Sequence, residues 1–135
     1  MRDLLFRGQT RKKGEQVFMD GRPVDANWVY GGIFQGKGDF SVIYTYDPIE
    51  KRLVYTDTVG QYVGVDDKNG TKVFEGDILK LKRHLYVIEW KGGCLYASQS
   101  SISTVCRLIE DLIDGGAEVV GNIHDNPELL EGHTK

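Results

Sequence analysis

His84, His124, Asp77, Cys94 and Cys106 are the side chains best suited to acid–base, metal or nucleophilic chemistry, and their spacing supports none of it. The two histidines sit in unrelated polar turns, with no cysteine or carboxylate cluster at ligand spacing beside either. They read as surface or hydrogen-bonding residues. Cys94 and Cys106 form no C-x-x-C pair and have no histidine pair at zinc spacing, so they read as reduced, partly buried thiols. Asp67-Lys68-Asn69-Gly70 resembles part of a calcium loop. Aligning it on that pattern puts Val65 at the first ligand position and Gly76 at the twelfth, and neither side chain can coordinate. It reads as a turn. Asn69-Gly70-Thr71 fits the glycosylation triplet, but no secretion signal accompanies it. Ser98, Ser100, Ser101 and Ser103 suit helix capping better than nucleophilic attack, and no G-x-S-x-G, P-loop or dinucleotide-binding glycine pattern is present. The expectation is a chain that is not an enzyme and takes no metal or cofactor.

One cluster could bind rather than react. Lys80, Lys82, Arg83 and Lys91, with His84, gather around one predicted hairpin beside Tyr86 and Trp90. Cations interleaved with aromatics on the edge of a small barrel can grip phosphates and stack bases. The alternation Lys80-Leu81-Lys82 equally describes the solvent face of an ordinary strand, where lysine discourages edge pairing.

The elements that position these residues are organised around Gly60–Leu81, GQYVGVDDKNGTKVFEGDILKL. It reads as strand, polar turn, short strand, acidic-glycine corner and strand. Asn69-Gly70 is expected to supply positive φ angles to a tight reversal, and Gly76 to permit a sharp corner before Ile78-Leu79. Such a corner is common in small, strongly bent barrels. Upstream, residues 3–19 read as a hairpin with a basic tip at Arg11-Lys12-Lys13, followed by a turn at Asp20-Gly21-Arg22-Pro23. NWVYGGIFQ from Asn27 and FSVIYTY from Phe40 flank Gly36-Lys37-Gly38-Asp39 as a second hairpin, with Gly31-Gly32 marking a bulge or a close backbone approach. Arg52–Thr56 is a further strand. Downstream, Leu85–Trp90 and Cys94–Ala97 are strands around a glycine turn.

The apolar period then changes. Positions 102, 105, 106, 109, 112 and 113 line one face of a helix, predicted over about 102–114. A serine at 101 or 103 would cap it and Gly115 would end it in a left-handed turn, leaving Glu110, Asp111 and Asp114 at the end the helix dipole disfavours. Glu118–Ile123 reads as a closing strand and Asn126–Leu130 as a short helical turn with Pro127 at its start.

With 135 residues, 40% hydrophobic and 27% charged, the chain can bury a core without disulfides. Residues 1–100 carry a net +2 and residues 101–135 a net −5, which argues against a general polyanion binder but leaves local basic patches. No apolar run reaches the roughly 18 residues that a membrane span requires, and the N-terminus has no signal-peptide core. The organisation expected is a hairpin region over 1–57, a barrel-and-helix region over 58–130 sharing its core, and a tail over 131–135.

FRGQ near the start, NWVYGG, TVGQYVGVDDKNGTKVFEGDIL at Thr58–Leu79 and EVVGNIHDNPELL at Glu118–Leu130 resemble the YopX protein family, found mostly in bacteriophages and integrated prophages. The resemblance implies a mainly β protein with an SH3-like barrel in the part containing EGDIL, and it implies no catalytic residue. Residues 81–116 match no motif of the family. The function expected is an accessory, non-enzymatic protein-interaction module in the cytoplasm of a bacterial host, with an unidentified host or phage protein as partner and no membrane. Its alternative is a nucleic-acid-binding barrel using the basic hairpin. The sequence leaves the oligomeric state open.

Overall fold

The structure is a computed structural model that describes residues 4–12, 14–15, 18–19, 22–23, 27–34, 38–46, 48–91, 94–99 and 106–131. It is mainly β, and the chain divides into two compact units, Met1–Tyr62 and Val63–Lys135.

In the first unit the strands are β1 (Phe6–Gln9), β2 (Phe18–Met19), β3 (Arg22–Pro23), β4 (Trp28–Phe34), β5 (Phe40–Tyr44) and β6 (Lys51–Tyr55), followed by a 3-10 turn at Thr56–Thr58 and the start of β7 (Gly60–Asp66). Within this unit the sheet order is β6-β5-β4-β1-β7, and β1 runs antiparallel to β4 and β7, β4 to β5, and β5 to β6. The expected hairpin over 3–19 does not form. β1 pairs with β4 on one side, Phe6 opposite Gly31, and with β7 on the other, Phe6 opposite Gln61. Phe18–Met19 pairs instead with Arg22–Pro23, which was expected to be a turn. Lys13 and Asp20-Gly21, part of the expected tip and turn, lie outside the described residues. A strand can take partners from anywhere in the chain, so adjacency in sequence misled here.

The second hairpin forms as expected, with Gly32 opposite Tyr44 and Phe34 opposite Val42. Gly31 is the close approach: a Cβ there would fall on the carbonyl oxygen of Tyr44. Alternation then fixes which residues go inward. Val29, Ile43 and Val54 are buried together, with Phe6, Ile33 and Val59 packed against them. Each such side chain contributes about 1.5–3 kcal/mol of burial free energy.

The second unit contains the end of β7, β8 (Lys72–Phe74), β9 (Asp77–Leu81), β10 (His84–Lys91), β11 (Cys94–Gln99), β12 (Cys106–Arg107), helix α1 (Ile109–Asp114), β13 (Glu118–Asn122) and the one-turn helix α2 (Glu128–Glu131). Its five-stranded sheet runs β12-β11-β10-β9-β13. That order is linear, with no pairing of its two ends among the described residues, so the expected barrel is not a closed one. Helix α1 covers the core, as Ile109 and Leu112 cluster with Val73, Leu79, Tyr86, Ile88 and Ala97.

The central stretch folds by local chemistry. Asp67 accepts at Oδ1 from the backbone N–H groups of Asn69 (2.8 Å) and Thr71 (2.9 Å), closing the turn, and at Oδ2 from Val119 N–H (2.9 Å). Burial pushes this carboxyl up, but the donors at Val119, Thr71 and Asn69 prevail and hold it below its ordinary value. Gly70 takes the positive φ (82°) and Asn69 does not. At the acidic corner Gly76 has φ +89°, and the buried Asp77 accepts from Phe74 N–H at 2.8 Å. That hydrogen bond fixes the bend into β9.

The late helix is shorter than its apolar period suggests. Cys106 and Arg107 are strand, paired with Ser98 and Ala97, because a sheet edge there offers them backbone partners. Residues 102–105 and the expected serine caps at 101 and 103 lie outside the described residues; Leu108 stands at the cap position with no side-chain hydrogen bond. With its start at Ile109, Glu110 and Asp111 fall in the first turn, the end the dipole favours. Gly116 (φ +96°), not Gly115, makes the left-handed stop, with Ala117 N–H donating to Leu112 O and Gly116 N–H to Ile113 O. Residues 132–135 of the expected tail lie outside the described residues.

Candidate contact surface

The alternation that buries Val29, Ile43 and Val54 sends Tyr30, Phe34, Phe40, Tyr44 and Leu53 to the opposite face of the first unit's sheet, where they stay exposed. Register makes them neighbours. Phe34 lies opposite Val42, Val42 opposite Leu53, Phe40 opposite Tyr55, and Tyr44 opposite Lys51. Tyr46, also exposed, places its hydroxyl 3.7 Å from where a side chain on Gly32 would begin, so it lies over the same face. The face is open over β4, β5 and β6. At the β1 end it is closed: Arg7 and Gln9 are buried, the Arg7 guanidinium sits 4.5 Å from the Trp28 ring centroid, and Gln9 N–H donates to Thr58 Oγ1 at 2.8 Å.

Polar chemistry gathers at one end of the face. Lys12 Nζ lies 2.9 Å from Asp57 Oδ2 and 4.9 Å from the Tyr55 ring centroid. The Tyr55 hydroxyl donates to Glu15 Oε1 at 2.6 Å, and the Tyr55 ring stands 4.9 Å from that of Phe40. The hydrogen bond to Asp57 raises the Lys12 pKa, that from Tyr55 lowers Glu15, and that to Glu15 raises Tyr55. A cleft of about 350 Å³ opens here between Lys12, Asp39, Tyr55 and Asp57. Each of these three shifts favours the protonation state present at neutral pH, so Lys12, Glu15 and Tyr55 contribute to an ion-paired rim.

The basic hairpin is assembled in part. Lys80 is exposed on β9, and Lys82 and Arg83 form the two-residue turn to β10, with Lys82 at φ +57°. Tyr86 points the other way. It is 3% exposed within the core of the second unit, so it offers no ring for a base to stack on. Trp90 and Lys91 end β10, and their side chains lie outside the described ones. His84 is exposed on β10 and His124 half-buried in the turn after β13. Cys94 is exposed rather than partly buried, and the Cys106 side chain is outside the described ones. Among the described residues no three histidine, cysteine, aspartate or glutamate side chains group as a metal site, and no helix is long and apolar enough to cross a membrane. A smaller apolar groove of about 250 Å³ in the second unit is lined by Val63, Val65, Leu95 and Leu108.

The aromatic face was missed in the sequence, although a signal for it exists. WVYGGIF and FSVIY are apolar at both parities, the pattern of a sheet covered on both sides.

These features define a small, mainly antiparallel β protein with an apolar sheet surface. The chain belongs to the YopX protein family, whose profile matches residues 23–131. Among solved structures it is similar to the crystal structure of protein EF1440 from Enterococcus faecalis, at 24% identity and a TM-score of 0.52, covering 96% of this chain and 99% of that one. That likeness concerns the fold. No curated protein matches.

Proposed function

We propose that the protein is a non-enzymatic protein-contact module that works through the outer face of β4, β5 and β6. The observation carrying this reading is the row of solvent-facing Tyr30, Phe34, Phe40, Tyr44 and Leu53 on a sheet whose other side is already packed. Aromatic-rich, charge-poor surface is what the centre of a protein interface is made of. Phage or prophage origin is what membership of the family implies. A bacterial cytoplasm is the setting proposed, supported by the exposed free thiol of Cys94, which suits a reducing compartment.

The alternative is nucleic acid bound by the hairpin carrying Lys80, Lys82 and Arg83. The burial of Tyr86 weakens it. The aromatic face does not rescue it, because phosphate binding needs cations, and the rim of that face carries Asp39 and Asp57 beside Lys12. Two assays separate the readings. Phe34→Glu is expected to abolish protein association while Lys80→Glu with Arg83→Glu leaves it intact. Salt-sensitive retention of labelled oligonucleotides, lost in the second variant and kept in the first, would reverse the assignment.

A further inference from the structure

The occupant of the aromatic face can be specified further, on the reading that the face is a protein-contact surface. We infer that it packs against the same face of a second copy of this chain, sheet upon sheet, about a two-fold axis. Three observations converge on this.

The first is area. Tyr30, Phe34, Phe40, Tyr44, Tyr46 and Leu53 are each between 38% and 67% exposed. At roughly 200 Å² per large side chain they present about 600 Å² of apolar surface, at the top of the range for a monomer's largest patch. A standard interface takes about 800 Å² from each partner, so the patch with its polar rim is of the size a dimer needs.

The second is the sequence of the strands. β4 and β5 are apolar at both parities, and the first unit's own core, around Val29, Ile43 and Val54, uses only one of them. An antiparallel sheet that leaves one face in water ordinarily carries polar residues there, and this outer face instead carries Tyr30, Phe34, Phe40, Tyr44 and Leu53. Pairing through the edge of β6 would lengthen the sheet and leave Phe34 and Tyr44 in water. Face packing removes them from it.

The third is the distribution of charge. Phe34, Val42 and Leu53 form a row across the three strands. At one end of the face stands exposed Lys51, opposite Tyr44; at the other, beyond Phe40 and Tyr55, the carboxylates of Glu15, Asp39 and Asp57 outnumber Lys12, which pairs with Asp57. A two-fold axis along that row, between two facing sheets, reverses the strand direction. It lays the Lys51 end of each copy on the acidic end of the other while Leu53 meets Leu53 and Phe34 meets Phe34. The surface is therefore complementary to itself, as a two-fold interface must be, and aligned packing of twisted sheets accommodates it.

The test is sedimentation velocity of the full chain from low micromolar to near-millimolar concentration. The wild type is expected to dimerise, and Phe34→Glu with Leu53→Glu to remain monomeric throughout, with circular dichroism unchanged and with the wild-type thermal midpoint at concentrations where the wild type is itself monomeric, because both residues are exposed. Lys51→Glu is expected to weaken association about tenfold, and adding Asp39→Lys to restore it. A monomeric wild type overturns the inference, as does a dimer that the paired glutamates leave intact. Charge-reversed chains that stay weak in the double variant overturn the two-fold arrangement. If the wild type is monomeric yet binds a different purified protein that Phe34→Glu does not bind, self-association falls while the protein-contact reading stands.

Discussion

Asp67→Asn isolates the connection that ties the central turn to the closing strand. The native carboxylate takes three backbone N–H groups, two at Oδ1 from Asn69 and Thr71 and one at Oδ2 from Val119. Asparagine has one acceptor oxygen. Turned toward Asn69 and Thr71 it keeps two neutral hydrogen bonds, each weaker by about 0.5–1 kcal/mol than its charge-assisted predecessor, and aims its amide at the Val119 N–H. Losing that third bond and leaving its donor unmet costs about 1–3 kcal/mol more. The total is about 3 kcal/mol. With a urea slope of about 1.5 kcal/mol per molar, the midpoint read by circular dichroism drops about 2 M. Native-state hydrogen exchange should show the Val119 amide losing protection more than that of Ile43 in the first unit. The pH dependence has a definite sign. The folded pKa of Asp67 is depressed, so its contribution is fully present above the unfolded value of about 3.9 and is lost as pH falls through the folded one. The gap between wild type and Asp67→Asn must therefore narrow in acid. A loss below about 0.5 kcal/mol, or a gap that is independent of pH, would refute the reasoning.

Three further outcomes follow from local geometry. Gly31→Ala drives a Cβ onto the Tyr44 carbonyl and must part β4 from β5, costing about 3 kcal/mol in urea unfolding. Lys82→Gly relieves a positive φ and should leave stability unchanged or raise it by up to about 1 kcal/mol, whereas Lys82→Val should lower it by about 1–2 kcal/mol. Glu15→Gln removes the carboxylate that accepts from the Tyr55 hydroxyl. The raised Tyr55 pKa implies a contribution present below about pH 10 and lost as pH rises through the folded value. In Glu15→Gln the Tyr55 titration, followed by NMR of its ring carbons, should move back toward that of an ordinary tyrosine.

What could be read from the sequence was what local chemistry dictates. Asp67-Lys68-Asn69-Gly70 and Glu75-Gly76-Asp77 fold as turns because their own side chains and glycines close them. NWVYGGIFQ and FSVIYTY pair because one short loop joins them. Pairings distant in sequence were not legible. Nothing in FRGQ encodes that its partners are β4 and β7. The apolar spacing at 102, 105, 106, 109, 112 and 113 suits a helix, yet the edge of β11 claims Cys106 and Arg107. That Tyr86 of the basic hairpin is buried was not legible, because a strand's parity, read without its neighbours, does not say which side is the core. The same ambiguity hid the aromatic face. In β4 and β5 both parities are apolar, so alternation alone could not separate Val29 and Ile43, which are buried, from Tyr30 and Tyr44, which are not.

Hydroxyl-radical footprinting across a concentration series tests most directly whether that face is covered by a second copy in solution. Oxidation of Phe34, Tyr44, Tyr46 and Leu53 should fall severalfold from dilute to concentrated protein, while exposed Leu108 in the second unit stays constant as the internal control. Labelling of the four residues that tracks Leu108 at every concentration would contradict the account.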